Sequence, residues 1–362
     1  MQENGFTSIY DPIVNRFECD YPPLFLYILN FWGWIFTYFN LPISSHYFDT
    51  CLKTTTLLSE ISFFYWLHKR KSNLYFLVLM AISPVTILNA YGWGQIDLLY
   101  SMLLIAACIY LFEQKLIAFA ILIALSVNLK TQTLLYFPLL AVYFFQKNTS
   151  YKLQFRAFIV FVIAFLIPNI PFLLNENHVF ASIEPHFTAG GRYNFISVNA
   201  FNGWWAAFAD FDLKQNLLFP PNDVDLIFSL SRKTVALILF SGCYSIILFI
   251  SLKRSLNNAQ KIALLAYLSF SFFMLLPEMH ERYLFPFFMF SAWLVLYSKN
   301  ELSYFLIIAI IHAINLLWGW GEQKYFLEKW MFETTRLVAL ATFIVWLFYT
   351  RSLIKNFNLL KT

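Results

Sequence analysis

Apolar runs of about 16–22 residues, separated by short polar segments, repeat along nearly the whole chain. They fall near residues 50–68, 74–91, 97–112, 115–130, 132–146, 155–175, 233–252, 259–276, 283–298, 303–319 and 334–350. Each comes near the length that carries a helix across a hydrocarbon core, so each predicts a transmembrane span. The run 22–40 is apolar too, but it opens with Pro22-Pro23 and carries Trp32, Trp34 and Tyr38. Such rings favour the headgroup level, which predicts a helix lying in the interface rather than a further span. The expected fold is therefore all-α: a polytopic transmembrane helix bundle of about eleven spans plus one interfacial helix, forming a single domain over residues 1–362.

The polar segments between the runs set the orientation. "HKRKSN" (68–73), Lys115, "QKNTSYKLQFR" (146–156), "KRSLNNAQK" (253–261), Lys299 and "RSLIKNFNLLKT" (351–362) fall on one side if spanning starts near residue 50. They hold about 14 of the 25 Lys and Arg residues, which marks that side as cytoplasmic. Residues 1–49 and the long loop 176–232 then lie outside. So do "CDYPP" (19–23), "YGWGQID" (91–97), "NLKTQ" (128–132) and "PEMHER" (277–282). Any chemistry is expected at an extracytoplasmic face of the plasma membrane.

Composition agrees with this picture: 60% of residues are hydrophobic, 21% aromatic and only 12% charged, and the mean hydropathy is +0.62. A soluble domain carries about twice that charge. The net charge of +5 comes from loops between spans, which removes nucleic acid as an expected partner. Cys19, Cys51, Cys108 and Cys243 show no metal-ligand spacing, although Cys19 and Cys51 could meet on the oxidising side. The first residues lack the basic start and apolar stretch of a signal peptide.

Five polar clusters interrupt the apolar pattern. Asp20 precedes Tyr21-Pro22-Pro23, on backbone that the prolines stiffen just ahead of a helix. It is either a charge at a helix start or a general base for a hydroxyl. Gln95 and Asp97 follow Gly92 and Gly94; they cap a turn, or they bind sugar or acceptor hydroxyls. Lys130 and Gln132 interrupt apolar helices, where a charge costs about 3 kcal/mol, and Lys130 suits a phosphate unless it snorkels to the interface. Glu278, His280, Glu281 and Arg282 crowd between two apolar runs more densely than a turn needs. They neutralise one another, or His280 and Arg282 hold an anion. In "GGRYNFISVNAFNGWW" (190–205), Arg192, Asn199, Asn202 and Trp204 mix amides with rings, as a sugar or an interfacial anchor requires. A carboxylate base with nearby cations is what transfer from a lipid-linked phosphate donor would need.

The ordered set "CDYPPLFLY", "YGWGQIDLL", "NLKTQTLLYFP", "SVNAFNGWW" and "MHERYLFP" resembles membrane glycosyltransferases of the GT-C superfamily. It is similar to the bacterial and archaeal proteins described as GPI-mannosyltransferase-like, and to the enzymes that transfer glucose from dolichyl-phosphate-glucose. The resemblance implies inverting transfer of a mannose- or glucose-class sugar from a polyprenyl-phosphate donor to a hydroxyl of a glycan or lipid acceptor in the cell envelope. It implies that Asp20 is the base, and that Lys130, His280 and Arg282 bind the donor phosphate. Gln95, Asp97, Gln132, Asn199, Asn202 and Glu281 would bind sugar and acceptor. No cofactor or metal is implied. Members of the family begin with a transmembrane helix and an acidic, Trp-containing stretch ahead of Tyr-Pro-Pro. Neither precedes "CDYPP" here, so the chain is expected to lack that first helix. The rival expectations are a transporter or flippase for lipid-linked saccharides, and an inactive scaffold of the same ancestry. A transporter would spread charges through the membrane depth and show repeats.

Overall fold

The structure is a computed structural model that describes residues 6–10, 19, 21–42, 45–70, 74–146, 150–173, 180, 182–188, 193–210, 219–321 and 329–357. Helices dominate, and the strands are only two or three residues long. Among the described residues, five helices are long and apolar enough to cross a membrane: Tyr151–Leu173, Arg232–Lys253, Asn258–Leu275, Lys299–Gly321 and Phe332–Asn356. A sixth span forms if the bent pair Tyr75–Ala81 and Pro84–Gly92, which meets at 41°, counts as one. The helices Asp97–Phe112, Leu116–Leu129 and Thr131–Phe145 are apolar but shorter. Length and composition thus mark a membrane protein.

Besides these bent and shorter helices, two further predicted spans differ from expectation for local reasons. Residues 50–68 do lie in a helix, Ser45–Lys69, but Lys53, Glu60 and the threonines 54–56 keep it from being as apolar as the others. Residues 283–298 form a four-residue 3-10 turn, Glu281–Leu284, and a ten-residue helix, Phe285–Leu294. Pro286 sits in the first turn of that helix, where its missing N–H costs nothing, so it restarts the helix rather than continuing one. Residues 22–40 do form a helix, Pro23–Tyr38, which leaves Phe31, Trp34 and Tyr38 exposed at spacings of three and four along one face. None of the four cysteines forms a disulfide, so Cys19 and Cys51 are not bridged.

Contacts divide the chain into two compact units, Met1–Leu67 with Leu98–Gly190, and His68–Asp97 with Gly191–Thr362. In the first, Leu116–Leu129 packs along Tyr151–Leu166 and also against Pro23–Tyr38. A buried amide pair locks this packing. Asn169 Nδ2 donates to Asn128 Oδ1 at 2.9 Å, while Asn128 Nδ2 donates to the Phe165 carbonyl at 3.2 Å. Pro168 breaks the helix there, and Tyr27 donates to its carbonyl at 3.1 Å. In the second unit, Asn258–Leu275 packs against Phe285–Leu294 through Phe270 and Phe287, 5.0 Å apart. Lys299–Gly321 packs against both Phe285–Leu294 and the Glu281–Leu284 turn. Two parallel strands, Ser197–Val198 and Met279–His280, bind the long connecting segment to the end of Asn258–Leu275.

His186, on the short helix Pro185–Thr188, is 7% exposed and lies 5.2 Å from the Phe165 ring. Among the described residues neither ring nitrogen has a hydrogen-bond partner, and burial lowers the imidazole from its ordinary 6.5 to about 4. The unfolded chain therefore takes up the proton near pH 6.5 and the folded chain only near 4, so stability present above pH 6.5 is lost as pH falls between the two. A non-titrating His186→Phe variant should show a smaller fall in unfolding temperature across that window than the parent in the same detergent. An equal fall would show that His186 is not held neutral.

Candidate functional site

Three of the predicted polar clusters meet in the second unit. The first is the turn after Asn258–Leu275. His280 is extended (φ −98°, ψ 156°), the 3-10 turn Glu281–Leu284 follows, and Phe285-Pro286 restarts a helix. Strand pairing fixes this turn: Ser197 lies opposite Met279, Val198 opposite His280, and Asn199 also bridges to His280. The Glu278 N–H donates to the Ile196 carbonyl at 3.1 Å. Glu278 is left-handed (φ 61°), as is Asn199 (φ 59°), so a non-glycine residue sits in a strained region at each edge of the pairing.

The polar side chains of this turn are paired and mostly buried. Arg282 Nη1 donates to Glu281 Oε1 at 3.2 Å, and His280 Nδ1 lies 3.9 Å from Glu281 Oε2. Lys233 Nζ donates to Glu278 Oε1 at 2.9 Å, and the Tyr193 N–H reaches Glu278 Oε2 at 3.4 Å. Burying a carboxylate is costly unless it is paired, and Glu281, only 2% exposed, meets that condition. The Arg282 guanidinium lies 5.8 Å from the Trp93 ring and 5.6 Å from the Tyr283 ring. His280 is flanked by Tyr193 and Tyr283 at 4.9 and 5.2 Å. The aromatic faces of Trp93 and Tyr283 hold the Arg282 cation in place without neutralising it.

Trp93 brings in the second cluster. The helix Ile87–Gly92 ends in a wide π-type turn, in which the Trp93 N–H donates to the Leu88 carbonyl at 2.8 Å. Gly94 follows at φ 79°, a conformation that favours glycine. The Gln95 N–H then returns to the Asn89 carbonyl at 2.9 Å. Asp97 is fully buried at the start of its helix and accepts from Asn89 Nδ2 at 3.4 Å. It also lies within electrostatic reach of Tyr283.

The third cluster surrounds Asn199. Its carbonyl accepts from Asn315 Nδ2 at 2.6 Å, and its Oδ1 accepts from Trp318 Nε1 at 3.3 Å. Asn315 Oδ1 also accepts the Phe201 N–H at 3.0 Å. Asn202 is used differently. Its Oδ1 caps the helix Gly203–Phe208 through the Trp205 N–H at 3.0 Å, and its Nδ2 donates to the Phe273 carbonyl at 3.1 Å. Both ends of this amide therefore build the fold rather than turn toward a ligand.

Lys130 and Gln132 stand in the first unit, in a break built on the same local plan. Lys130 is extended (φ −154°, ψ 127°), the 3-10 turn Thr131–Tyr136 follows, and Phe137-Pro138 restarts a helix. Tyr100 holds this break: its hydroxyl donates to Gln132 Oε1 at 3.0 Å, its carbonyl accepts from Ser126 Oγ at 3.0 Å, and Lys130 Nζ lies 5.5 Å from its ring. Ser126 and Thr133 hydroxyls meet at 2.8 Å. Asp20 and Arg192 lie outside the described residues. The backbone just after Asp20 is as expected, extended at Pro22 and helical from Pro23. Among the described residues, no three of His, Cys, Asp and Glu gather as a metal site.

Asn315, Trp318 and Gly319 escape sequence reasoning because they lie inside a predicted span. Their signal is spacing: 315, 318 and 319 share one face of the helix Lys299–Gly321. No protein-family model matches the chain, and a search of curated proteins finds no match.

Gly319 carries a direct test of this arrangement. A methyl group there would fall 2.6 Å from Glu281 Cγ and 2.9 Å from Cδ, so alanine must displace the carboxylate. Gly319→Ala should cost about 1–3 kcal/mol, read as a lower unfolding temperature. Gly33→Ala, on the helix Pro23–Tyr38 with nothing within 4 Å, should be neutral or slightly stabilising. Equal effects of the two changes would show that Glu281 does not rest against Gly319.

Proposed function

We propose that the protein is a membrane glycosyltransferase of the GT-C type, moving a mannose- or glucose-class sugar from a polyprenyl-phosphate donor to an acceptor hydroxyl. The supporting observation is the convergence around Arg282: the "YGWGQID" turn reaches it through Trp93, and the "SVNAFNGWW" segment pairs with its neighbour His280. These are three of the five segments on which the family resemblance rests. In this account the further apolar runs complete a bundle of about eleven spans around the helices described above, and the charged turns face the outside of the plasma membrane.

Asp20 takes the proton from the acceptor hydroxyl as its oxygen attacks the anomeric carbon. The bond from that carbon to the phosphate oxygen breaks, and polyprenyl phosphate leaves with the electron pair. Configuration at the sugar inverts. Arg282 and His280, with Lys130, stabilise the phosphate as its charge grows; a guanidinium suits this through its paired donors. Glu281 holds Arg282 and His280 in place. Gln95, Asp97, Gln132 and Asn199 serve the sugar and acceptor, directly or by shaping the turns that do.

Transfer of labelled sugar from mannosyl- and glucosyl-phosphoprenol to membrane acceptors tests this. Asp20→Asn should lower turnover by about 10²–10⁴-fold and leave donor binding intact, because it removes a base and no donor contact. Arg282→Ala should weaken donor binding. Unchanged transfer in the Asp20→Asn variant would overturn the assignment, and donor movement across vesicles without transfer would favour a flippase.

A further inference from the structure

The second unit holds a polar cavity of about 350 Å³, lined by Asn257, Gln260, Ser298, Glu301, Ser352 and Asn356 among others. Its volume lies in the range of small-ligand pockets. Asn258–Leu275 starts at this cavity and ends at the His280 turn, so about 27 Å of helix separates it from the candidate site. The polar lining is regular in origin. Tyr349, Ser352 and Asn356 fall three and four residues apart on one face of the helix Lys329–Asn356, while Ala259 and Ala263 leave room opposite.

Glu301 is the most buried acidic side chain here, at 6% exposure. One carboxylate oxygen, Oε1, takes both of its hydrogen bonds, from Ser291 Oγ at 2.8 Å and from the Tyr349 hydroxyl at 2.9 Å. Among the described residues no Lys, Arg or His pairs with it. A buried carboxylate held by two neutral donors, with its second oxygen unused and a cavity beside it, is built to receive a hydrogen-bonding cation. Nearer the surface the chemistry is the opposite. Asn257 and Gln260 form a capping box that uses both amide oxygens, Oδ1 accepting from the Gln260 N–H at 2.9 Å and Oε1 from the Asn257 N–H at 3.0 Å. Their NH₂ ends therefore remain as donors, alongside the Ser298 hydroxyl. An acceptor at the base and donors at the rim describe a zwitterion with a primary ammonium and a phosphate a few atoms apart.

We propose that this cavity binds a phosphoethanolamine group, its ammonium on Glu301 and its phosphate on the amide donors of Asn257 and Gln260. The cavity lies where the basic segments 253–261, 299 and 351–355 flank the helix ends, which is headgroup level for a lipid. The same chemistry is available from phosphatidylethanolamine or from free phosphoethanolamine.

The full chain in phosphatidylcholine nanodiscs, with and without added phosphatidylethanolamine, separates these sources when compared with free phosphoethanolamine. Choline carries no N–H donor, so phosphatidylcholine is the matched control. A rise in unfolding temperature with phosphatidylethanolamine alone identifies the lipid, and a rise with both ligands or with free phosphoethanolamine alone identifies the soluble group as sufficient. Glu301→Gln keeps the shape and should weaken binding at least ~10-fold, as losing a charge-assisted bond does. Ala263→Leu fills the cavity, leaves Glu301 untouched, and should abolish the rise. No rise with either ligand, or a rise that persists in both variants, overturns the proposal.

Discussion

A two-residue parallel pairing, Ser197–Val198 against Met279–His280, holds the charged turn of the second unit in place. Among apolar helices, non-helical backbone is tolerated only where its N–H and C=O groups find partners in protein. Here they do. The Ile196 carbonyl takes the Glu278 N–H, Ser197 Oγ reaches the Ala200 carbonyl, and Asn315 satisfies both the Asn199 carbonyl and the Phe201 N–H. With its backbone satisfied, the turn can carry His280, Glu281 and Arg282 at the end of an apolar helix without unfolding it. The left-handed residues Glu278 and Asn199 are the strain this arrangement tolerates.

Both units use the same device for placing a polar side chain in an apolar setting. An apolar helix ends, an extended residue with a basic side chain precedes a 3-10 turn, and a Phe-Pro step restarts the helix; Lys130 follows its helix directly, whereas His280 comes after the segment 276–279. Lys130 and His280 occupy the equivalent position in the two cases. Each break is then held by a hydrogen-bonding residue from a distant helix: Tyr100 for the first, Asn315 for the second. At Gly319 the absent methyl lets the Glu281 carboxylate lie against a neighbouring helix.

Much of this is legible in the sequence. Apolar runs locate most of the helices, and charges inside those runs locate the breaks, because an unpaired charge in that setting is costly enough to stand out against the pattern. What escapes are features with no periodic signal. Two residues of strand are too short to alternate, so nothing links 197–198 to 279–280. Asn202 looks like a ligand because a buried amide and a helix cap have the same composition; only its two bonds tell them apart. The predicted span 283–298 overruns because Pro286 falls within an apolar run, while in the fold it restarts a helix. Asn315, Trp318 and Gly319 sit in a run that hydropathy alone describes as a span, and their shared face matters only once a partner is known.

A structure solved with a short-chain prenyl phosphate bound tests the central claim, that this turn is built to hold a lipid-linked phosphate. The account predicts the phosphate oxygens within hydrogen-bonding distance, about 3 Å, of Arg282 and His280, with Glu281 still against Gly319. A headgroup seated elsewhere, with the arginine and histidine untouched, would contradict it.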